Sequence, residues 1–586
     1  MQAVLILSLI FAPLAFASVE PWALGLLQAA YFALAARLYI KGLHVNPNPL
    51  YKNLIPAVLA IAIIGLLQSL NQNPVTAPSA TLFTAWRPAT LAAAHLWLFY
   101  AAVLFTVPQL IDTPERFRRL MWTIFIMGTI VALLGMLQKT GDNTLVYGLR
   151  KVAGQPFGPF VNRDHGAHFL AISAMCGLGL FFSGLRPLFA QQSHTRLFDL
   201  LAVQFIKLVM LSALIYGIVH AGSRGGGHSF AAAAAITGFA AAAALRSRRQ
   251  KTVAITLMTL AVVGYGILLA NNDRMAGRIS GGWDNSVKYR FSMYESSRRM
   301  LADFPAFGVG LKAVQYAFPH YKSDPLKETQ LVLHVHSDWI ELFLQSGLAG
   351  GLIYLAGLLA ALIHFFRSWR SNSSFTLKCL QGGAIGAVIA ACAHNFTEFA
   401  SQMPANALLF FVVIGALAGP GTHRRGRDED QDDPEPAPPP RARANAAALI
   451  AVLLIAAAIP RFIAWRADFL AKDKDIALKT KLAHRRASLR WYPDPQAAFR
   501  LGADIYNNAL KDKDNATRCP SMAEAQKAIA LYLQTAPVNQ DLNRLNKNLR
   551  LQLAHCYNPR PEPKKPAAKA KTPKNPPPPT RSASRP

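Results

Sequence analysis

Apolar residues along most of this chain do not alternate with polar ones. They come in unbroken runs, one after another, from the N-terminus to about residue 420. A run of about 20 apolar residues lets a helix cross a hydrocarbon core of roughly 30 Å. Such runs lie at 2–18, 22–40, 53–70, 90–111, 118–137, 166–185, 200–221, 227–245, 252–270, 338–366, 379–395 and 403–419. The pattern predicts an all-α, polytopic transmembrane helical bundle of about twelve spans, joined mostly by short loops. A thirteenth candidate lies at 445–465, where Pro460 and Arg461 are tolerable because they sit near one end. No Lys or Arg precedes Arg37, so the first run reads as a retained span rather than a secretory signal.

Beyond the bundle the pattern changes. Residues 421–444 form an expected disordered, cytoplasmic linker, within which DEDQDDPEPAPPP (428–440) offers no apolar surface to bury. Helical spacing returns over 466–556, with Ala487, Leu489, Ala498, Leu501, Ile505 and Tyr506, then Ala523, Ala528, Leu531 and Tyr532. Two antiparallel helix pairs of the tetratricopeptide kind suit this spacing, though the matches to that repeat are loose. The Lys- and Pro-rich tail, 557–586, is expected to be disordered.

Composition agrees with a membrane protein: 52% of the 586 residues are hydrophobic and the mean hydropathy is +0.23. The net charge of +30, from 61 Lys and Arg against 31 Asp and Glu, would suggest nucleic acid in a soluble protein. Here topology explains it, and no nucleic-acid partner is expected. Basic loops follow every second span: Lys41 and Lys52, PERFRR at 114–119, Arg186 and Arg196, RSRRQK at 246–251, Arg367 and Arg370, and HRRGR at 423–427. The positive-inside rule makes these cytoplasmic. Segments 71–89, 139–165, 222–226, 271–337 and 396–402 then face outward. The long outer loop 271–337 carries aromatic residues among its charges and is expected to fold. Of the cysteines, Cys176, Cys379 and Cys392 lie in spans and read as small buried hydrophobes. Cys519 and Cys556 can pair if the thirteenth span puts the C-terminal domain in an oxidising compartment, and are free thiols if it does not.

Nine of the 15 histidines (His95, His165, His168, His220, His228, His320, His334, His336 and His394) fall at or beyond outer span ends, as do Arg224, Arg290, Glu341 and Glu398. Ionisable groups at membrane depth are costly and tend to be functional. A transporter would set them near the midplane on interrupted, repeated helices. Their clustering at one face suits a catalytic cavity open to the outer leaflet instead.

Three motifs carry that chemistry. In HAGSRGGG (220–227), Arg224 followed by glycines offers a guanidinium and unshielded backbone N–H groups to an oxyanion such as a diphosphate. In the long loop, a helix over 286–302 puts Arg290, Tyr294 and Ser297 on one face, and DFPAFGVG (303–310) ends it. In LHVHSDWIELFLQSGLAGG (333–351), His334 and His336 project to one side if the backbone is extended, and Asp338 with Glu341 reads as an N-cap and its capping-box partner. The positive end of that helix and the nearby arginines disfavour imidazolium, leaving a neutral imidazole to act as general base. Gly347, Gly350 and Gly351 permit close helix packing. Paired histidines also suit a metal, but no Asp, Cys or third His recurs at a compact spacing, so no metal or cofactor is expected.

At these residues the chain resembles the O-antigen ligase and O-antigen polymerase family. His336-Ser337, nine residues, then Gly347-Leu-Ala-Gly350 is similar to the ligase signature. Ser223-Arg224-Gly225, the Arg290 helix with its D-x-P-x-x-G-x-G turn, and GPFVNRDHGAHFL (158–170) are similar to the wider family, over residues 1–420. The resemblance implies a bacterial inner-membrane, multi-pass enzyme with its active site facing the periplasm. Its activity would be metal-independent, inverting transfer of a glycan from an undecaprenyl-diphosphate carrier to an acceptor hydroxyl on lipid A-core, polysaccharide or another acceptor. Arg224 and Arg290 would hold the diphosphate and His336 would deprotonate the acceptor with help from His334. Ser223, Gly225, Arg163, His165, Tyr294 and Arg298 would complete the substrate-binding set. The C-terminal domain, which the usual ligase lacks, suggests protein partners or polymer recruitment. A polymerase joining lipid-linked repeats would use much the same donor site. The other classes weighed are a transporter of lipid-linked sugar and a non-catalytic envelope scaffold.

Overall fold

The computed structural model describes residues 1–42, 50–73, 78–140, 145–186, 194–244, 285–322, 332–422 and 439–557, apart from 153, 474–475, 512–513 and 536–539, together with isolated positions between 248 and 263. Most of the span expected at 252–270, much of the linker and the C-terminal tail lie outside the described residues.

The protein is an all-α, multi-pass membrane protein. Its elements are α1 (Gln2–Leu14), α2 (Pro21–Ile40), α3 (Ile55–Gln68), α4 (Arg87–Leu110), α5 (Pro114–Gln138), α6 (Arg163–Ser183), α7 (His194–Ala221), α8 (Arg224–Ala244), α9 (Asn285–Asp303), α10 (Asp338–Ser371), α11 (Phe375–His394), α12 (Pro404–Leu417), α13 (Arg441–Ala456) and α14 (Ile459–Leu470). Among the described residues, eight helices are long and apolar enough to cross a membrane, with α13 and α14 together forming one of them. Large apolar side chains such as Leu26, Ile63, Ile126, Phe205, Leu352 and Leu453 stay exposed around the bundle. That is what a helix surface facing lipid rather than water requires.

Without a hydrophobic drive between helices in lipid, close approach depends on small residues. The α6–α11 crossing shows this. A Cβ at Gly179 would stand 2.8 Å from the Cys379 carbonyl, and one at Gly383 would stand 2.7 Å from that of Met175. The start of α6, bearing His168, and the end of α11, bearing His394, are thereby held together.

α10 is not one continuous helix. Gly347 has φ 65° and ψ −170° inside it, and the loop that follows α9 docks into the break. Leu348 N–H donates to Pro305 O (2.8 Å) and Ala349 N–H to Ala306 O (3.1 Å), while Val309 N–H reaches Leu344 O (2.9 Å) and Gly310 N–H reaches Gln345 O (3.2 Å). Four backbone groups at the break thus find partners in the loop, as a helix interrupted near the membrane requires. Gly347 is therefore a backbone break rather than only a packing glycine. The described parts of the long loop form their own apolar core around Met293, Met300, Phe304, Val309 and Phe318, against Phe83 and Leu344.

The chain after 439 returns beside α2. The thirteenth candidate is two helices, α13 and α14, separated by a turn at Ala457 and Ala458 ahead of Pro460. Trp465 Nε1 donates to Glu20 Oε2 (2.6 Å), and Arg461 and the Leu454 carbonyl both engage His95. These bonds set α14 at the end of the bundle where α2 and α4 begin. From there α15 (Leu478–Trp491), α16 (Pro495–Ala509), α17 (Asn515–Thr535) and α18 (Gln540–Tyr557) pack each on the next around Leu501, Ile505, Met522, Ile529 and Leu549. Asp468 anchors the group to α14 through Arg485 and Arg500, and a Cys519–Cys556 disulfide links α17 to α18.

Candidate active site

The two N-terminal helix ends of α6 and α8, the C-terminal end of α11, and α9 converge on one cavity of about 130 Å³. Arg163, Arg224 and Arg290 line it with His394, Thr397 and Glu398, and Asp164, Gly222 and Gly225 complete the wall. Helix N-termini carry partial positive charge and unbonded N–H groups, so with three guanidinium groups against the carboxylates of Asp164 and Glu398 the wall is net positive. Gly222, at φ 71°, turns the chain from α7 into α8. Ser223 then caps α8, its Oγ accepting from Gly226 N–H (3.2 Å). Ser223 thus supports the anion site from beneath, whereas Arg224 and Gly225 face it.

Glu398 is the centre of the arrangement. It is 1% exposed; its Oε2 lies 3.1 Å from the Arg290 guanidinium and its Oε1 2.9 Å from His336 Nδ1. With Nδ1 committed to the carboxylate as a donor, His336 keeps Nε2 as its acceptor. Burial alone would raise the Glu398 carboxyl, but the hydrogen bond from His336 and the charges that His336, His165 and Arg290 carry in acid prevail and hold it at about 2. Tyr294 Oη donates to the His336 carbonyl (3.2 Å), so the α9 face bearing Arg290 and Tyr294 does reach the site.

His336 itself has φ 54°. A non-glycine residue in that region is strained and persists only where its surroundings hold it. The expectation of an extended backbone is corrected by this value. His334 and His336 nonetheless meet one ring: His334 stacks on Phe399 at 4.1 Å between centroids, and His336 and His165 approach it edge-on at 5.1 and 4.7 Å. His334 pairs with a different carboxylate, Glu341, at 2.8 Å.

The cap of α10 also differs from expectation. Ser337 is the N-cap, its Oγ accepting from Ile340 N–H. Asp338 is the first helical residue and accepts from Ser401 N–H (2.8 Å) and Gln402 Nε2 (3.1 Å), while its own N–H reaches the Asn395 and Glu398 carbonyls. The shift by one residue staples the start of α10 to the loop that presents Glu398. Glu341, released from a capping role, holds His334.

Arg163 lines the cavity beside its partner Gln155. His165 lies two residues further along α6, buried against Phe399. Arg298 is not brought to the cavity: it is 71% exposed and bidentate to Glu295. Ser297 turns its hydroxyl to the Met293 carbonyl within α9. Of the nine histidines, His394 lines the cavity; His336 meets it through Glu398, and His165, His168, His334, His95, His220, His228 and His320 are outside the lining. Thr397 and Phe399 are residues that sequence reading missed, whereas His394 and Glu398 were placed in the polar cluster without a role. The available signal was the position of Glu398 in a short outer segment between two spans.

A polytopic helical membrane protein with an arginine-lined cavity and a carboxylate-bound histidine at one end of its bundle is the class these observations define. Residues 209–355 match the family model for O-antigen ligase, and this segment carries Arg224, Arg290, His334 and His336. No curated protein matches the chain.

Proposed function

We propose that this protein transfers a glycan from an undecaprenyl-diphosphate carrier to an acceptor hydroxyl at the periplasmic face of a bacterial inner membrane. The observation that carries this reading is the shared carboxylate: Glu398 joins Arg290, on the wall of the anion cavity, to His336, which would act on the acceptor.

In the reaction, His336 Nε2 takes the acceptor hydroxyl proton while the acceptor oxygen forms a bond to the anomeric carbon. The bond from that carbon to the diphosphate breaks on the opposite side, which inverts the centre, and the electron pair leaves with the undecaprenyl diphosphate. Arg163, Arg224, Arg290 and the helix N-termini stabilise the charge that develops there. Removing one such preorganised partner commonly costs about 2.7–4 kcal/mol of barrier. Glu398 holds the His336 tautomer and balances the imidazolium formed. The same donor chemistry serves a polymerase, for which the acceptor is another lipid-linked glycan. The helical domain after α14, at the same end of the bundle as the site, supports a role in engaging polymer or partner proteins.

The test is reconstitution with an undecaprenyl-linked oligosaccharide and candidate acceptors. His336→Ala and Arg224→Ala should insert normally and abolish transfer, and near wild-type transfer by both would reject the assignment. Ladder formation without added acceptor identifies a polymerase, and a single transfer onto lipid A-core identifies a ligase.

A further inference from the structure

His394 Nδ1 and His168 Nδ1 lie 3.2 Å apart, both rings 1% exposed and packed nearly parallel at 27°. One nitrogen must donate and the other accept, so the pair admits two proton arrangements. The surroundings choose between them. His168 Nε2 is buried and has no hydrogen-bond partner among the described residues. If His394 donated, His168 would carry its proton on that nitrogen and bury an unsatisfied N–H. A buried orphan donor is rarer and costlier than an acceptor with a spare lone pair. The favoured arrangement therefore has His168 Nδ1–H donating to His394 Nδ1, which leaves the His394 proton on Nε2.

The Nε2 edge of His394 faces the anion site. A Cβ placed on Gly225 would stand 3.1 Å from His394 Nε2 and 3.0 Å from Cδ2, so the ring edge lies directly against the glycine that follows Arg224. His394 also lines the cavity with Arg163, Arg224 and Arg290. The bare glycines at 225 and 226 leave room for this edge, and the α6–α11 crossing fixes both rings in place.

We propose that His394 is a further donor-binding residue, giving its Nε2–H to an oxygen of the carrier diphosphate, and that His168 is the positioning residue that sets this tautomer. This rests on the reading of the cavity as the diphosphate site. A neutral N–H here adds a hydrogen bond of fixed direction beside the diffuse charge of the guanidinium groups. It distinguishes the diphosphate from an anion held by charge alone.

The two amide substitutions separate this role from packing. Gln at 394 places an amide nitrogen where Nε2 stands, whereas Asn reaches only as far as Nδ1 and can still accept from His168. The measurement is binding of undecaprenyl diphosphate by the full-length protein in detergent, with thermal stability followed in parallel and Arg224→Ala as reference. His394→Asn should weaken binding about tenfold, a change of about 1.4 kcal/mol, while His394→Gln stays within about threefold of the wild type. In 15N-histidine-labelled protein, the His394 Nδ1 resonance should be that of an unprotonated nitrogen and should change in His168→Ala. Wild-type binding by His394→Asn, or equal weakening by the folded Asn and Gln variants, while Arg224→Ala binds poorly, would overturn the role of His394 and leave the donor site standing. Wild-type binding by Arg224→Ala as well would reject the diphosphate reading itself.

Discussion

Arg290 and His336 hang from the two oxygens of one carboxylate, at 3.1 and 2.9 Å. A residue expected to grip the leaving group and a residue expected to act on the nucleophile are thereby held at a set separation. Glu398 comes from a third place in the sequence, the turn after α11, and makes them one unit.

Glu398→Gln should leave the protein folded but strip His336 of its tautomer lock. General-base catalysis contributes about 10²–10⁴-fold, so kcat should fall by about 100-fold or more. Glu398→Asp, which keeps the charge and shortens the reach, should fall between. Initial rates of glycan transfer at saturating donor check this, and an unchanged kcat in the Gln variant would remove Glu398 from the mechanism.

Stability should depend on acid through the same group. A carboxyl held near 2, below its ordinary 4.5, favours the folded state fully above the ordinary value. That advantage fades as the pH falls from there toward about 2. The difference in Tm between wild type and Glu398→Gln should be widest at neutral pH and shrink between pH values of about 5 and 3. A constant difference across that range would show that the charge of Glu398 does not contribute.

Gly347→Ala should be severely destabilising. Its φ of 65° disfavours any side chain, and an added Cβ would collide with the Ala306 carbonyl. Strain of this backbone kind alone costs about 1–3 kcal/mol, before the docked loop is displaced. Gly25→Ala is the control: its Cβ would meet only Ala458 Cβ, at an ordinary 3.8 Å, and α2 should gain slightly from the better helix former. Folded yield and Tm in detergent distinguish the two.

The helical domain after α14 should lie in the periplasm. In intact spheroplasts, a membrane-impermeant thiol reagent should label Cys519 and Cys556 only after reduction, since the two are joined as a disulfide. Cys176 and Cys379, buried in the bundle, should stay unlabelled under both conditions. Labelling that requires membrane permeabilisation would put the domain on the cytoplasmic side.

Much of the fold was legible because lipid imposes a simple rule. Each span announces itself as an apolar run, and α2, α4, α5, α6, α10 and α11 begin and end within a few residues of the expected limits. Arg224, Arg290 and His336 were expected together; the structure brings Arg224 and Arg290 to one cavity and joins Arg290 to His336 through Glu398. Asp338 was misread by one position because Ser337 and Asp338 are both good caps, and local chemistry does not choose between them.

What the linear chain determined by itself was the set of apolar helices and the gathering of histidines and arginines near their ends. Only tertiary structure decided that Glu398 serves both Arg290 and His336, that His334 answers to Glu341 instead, and that the loop after α9 fills the break at Gly347. Those pairings join segments far apart along the chain, and their partners depend on how helices cross and where small residues let them approach. Apolar run length carries no record of that packing.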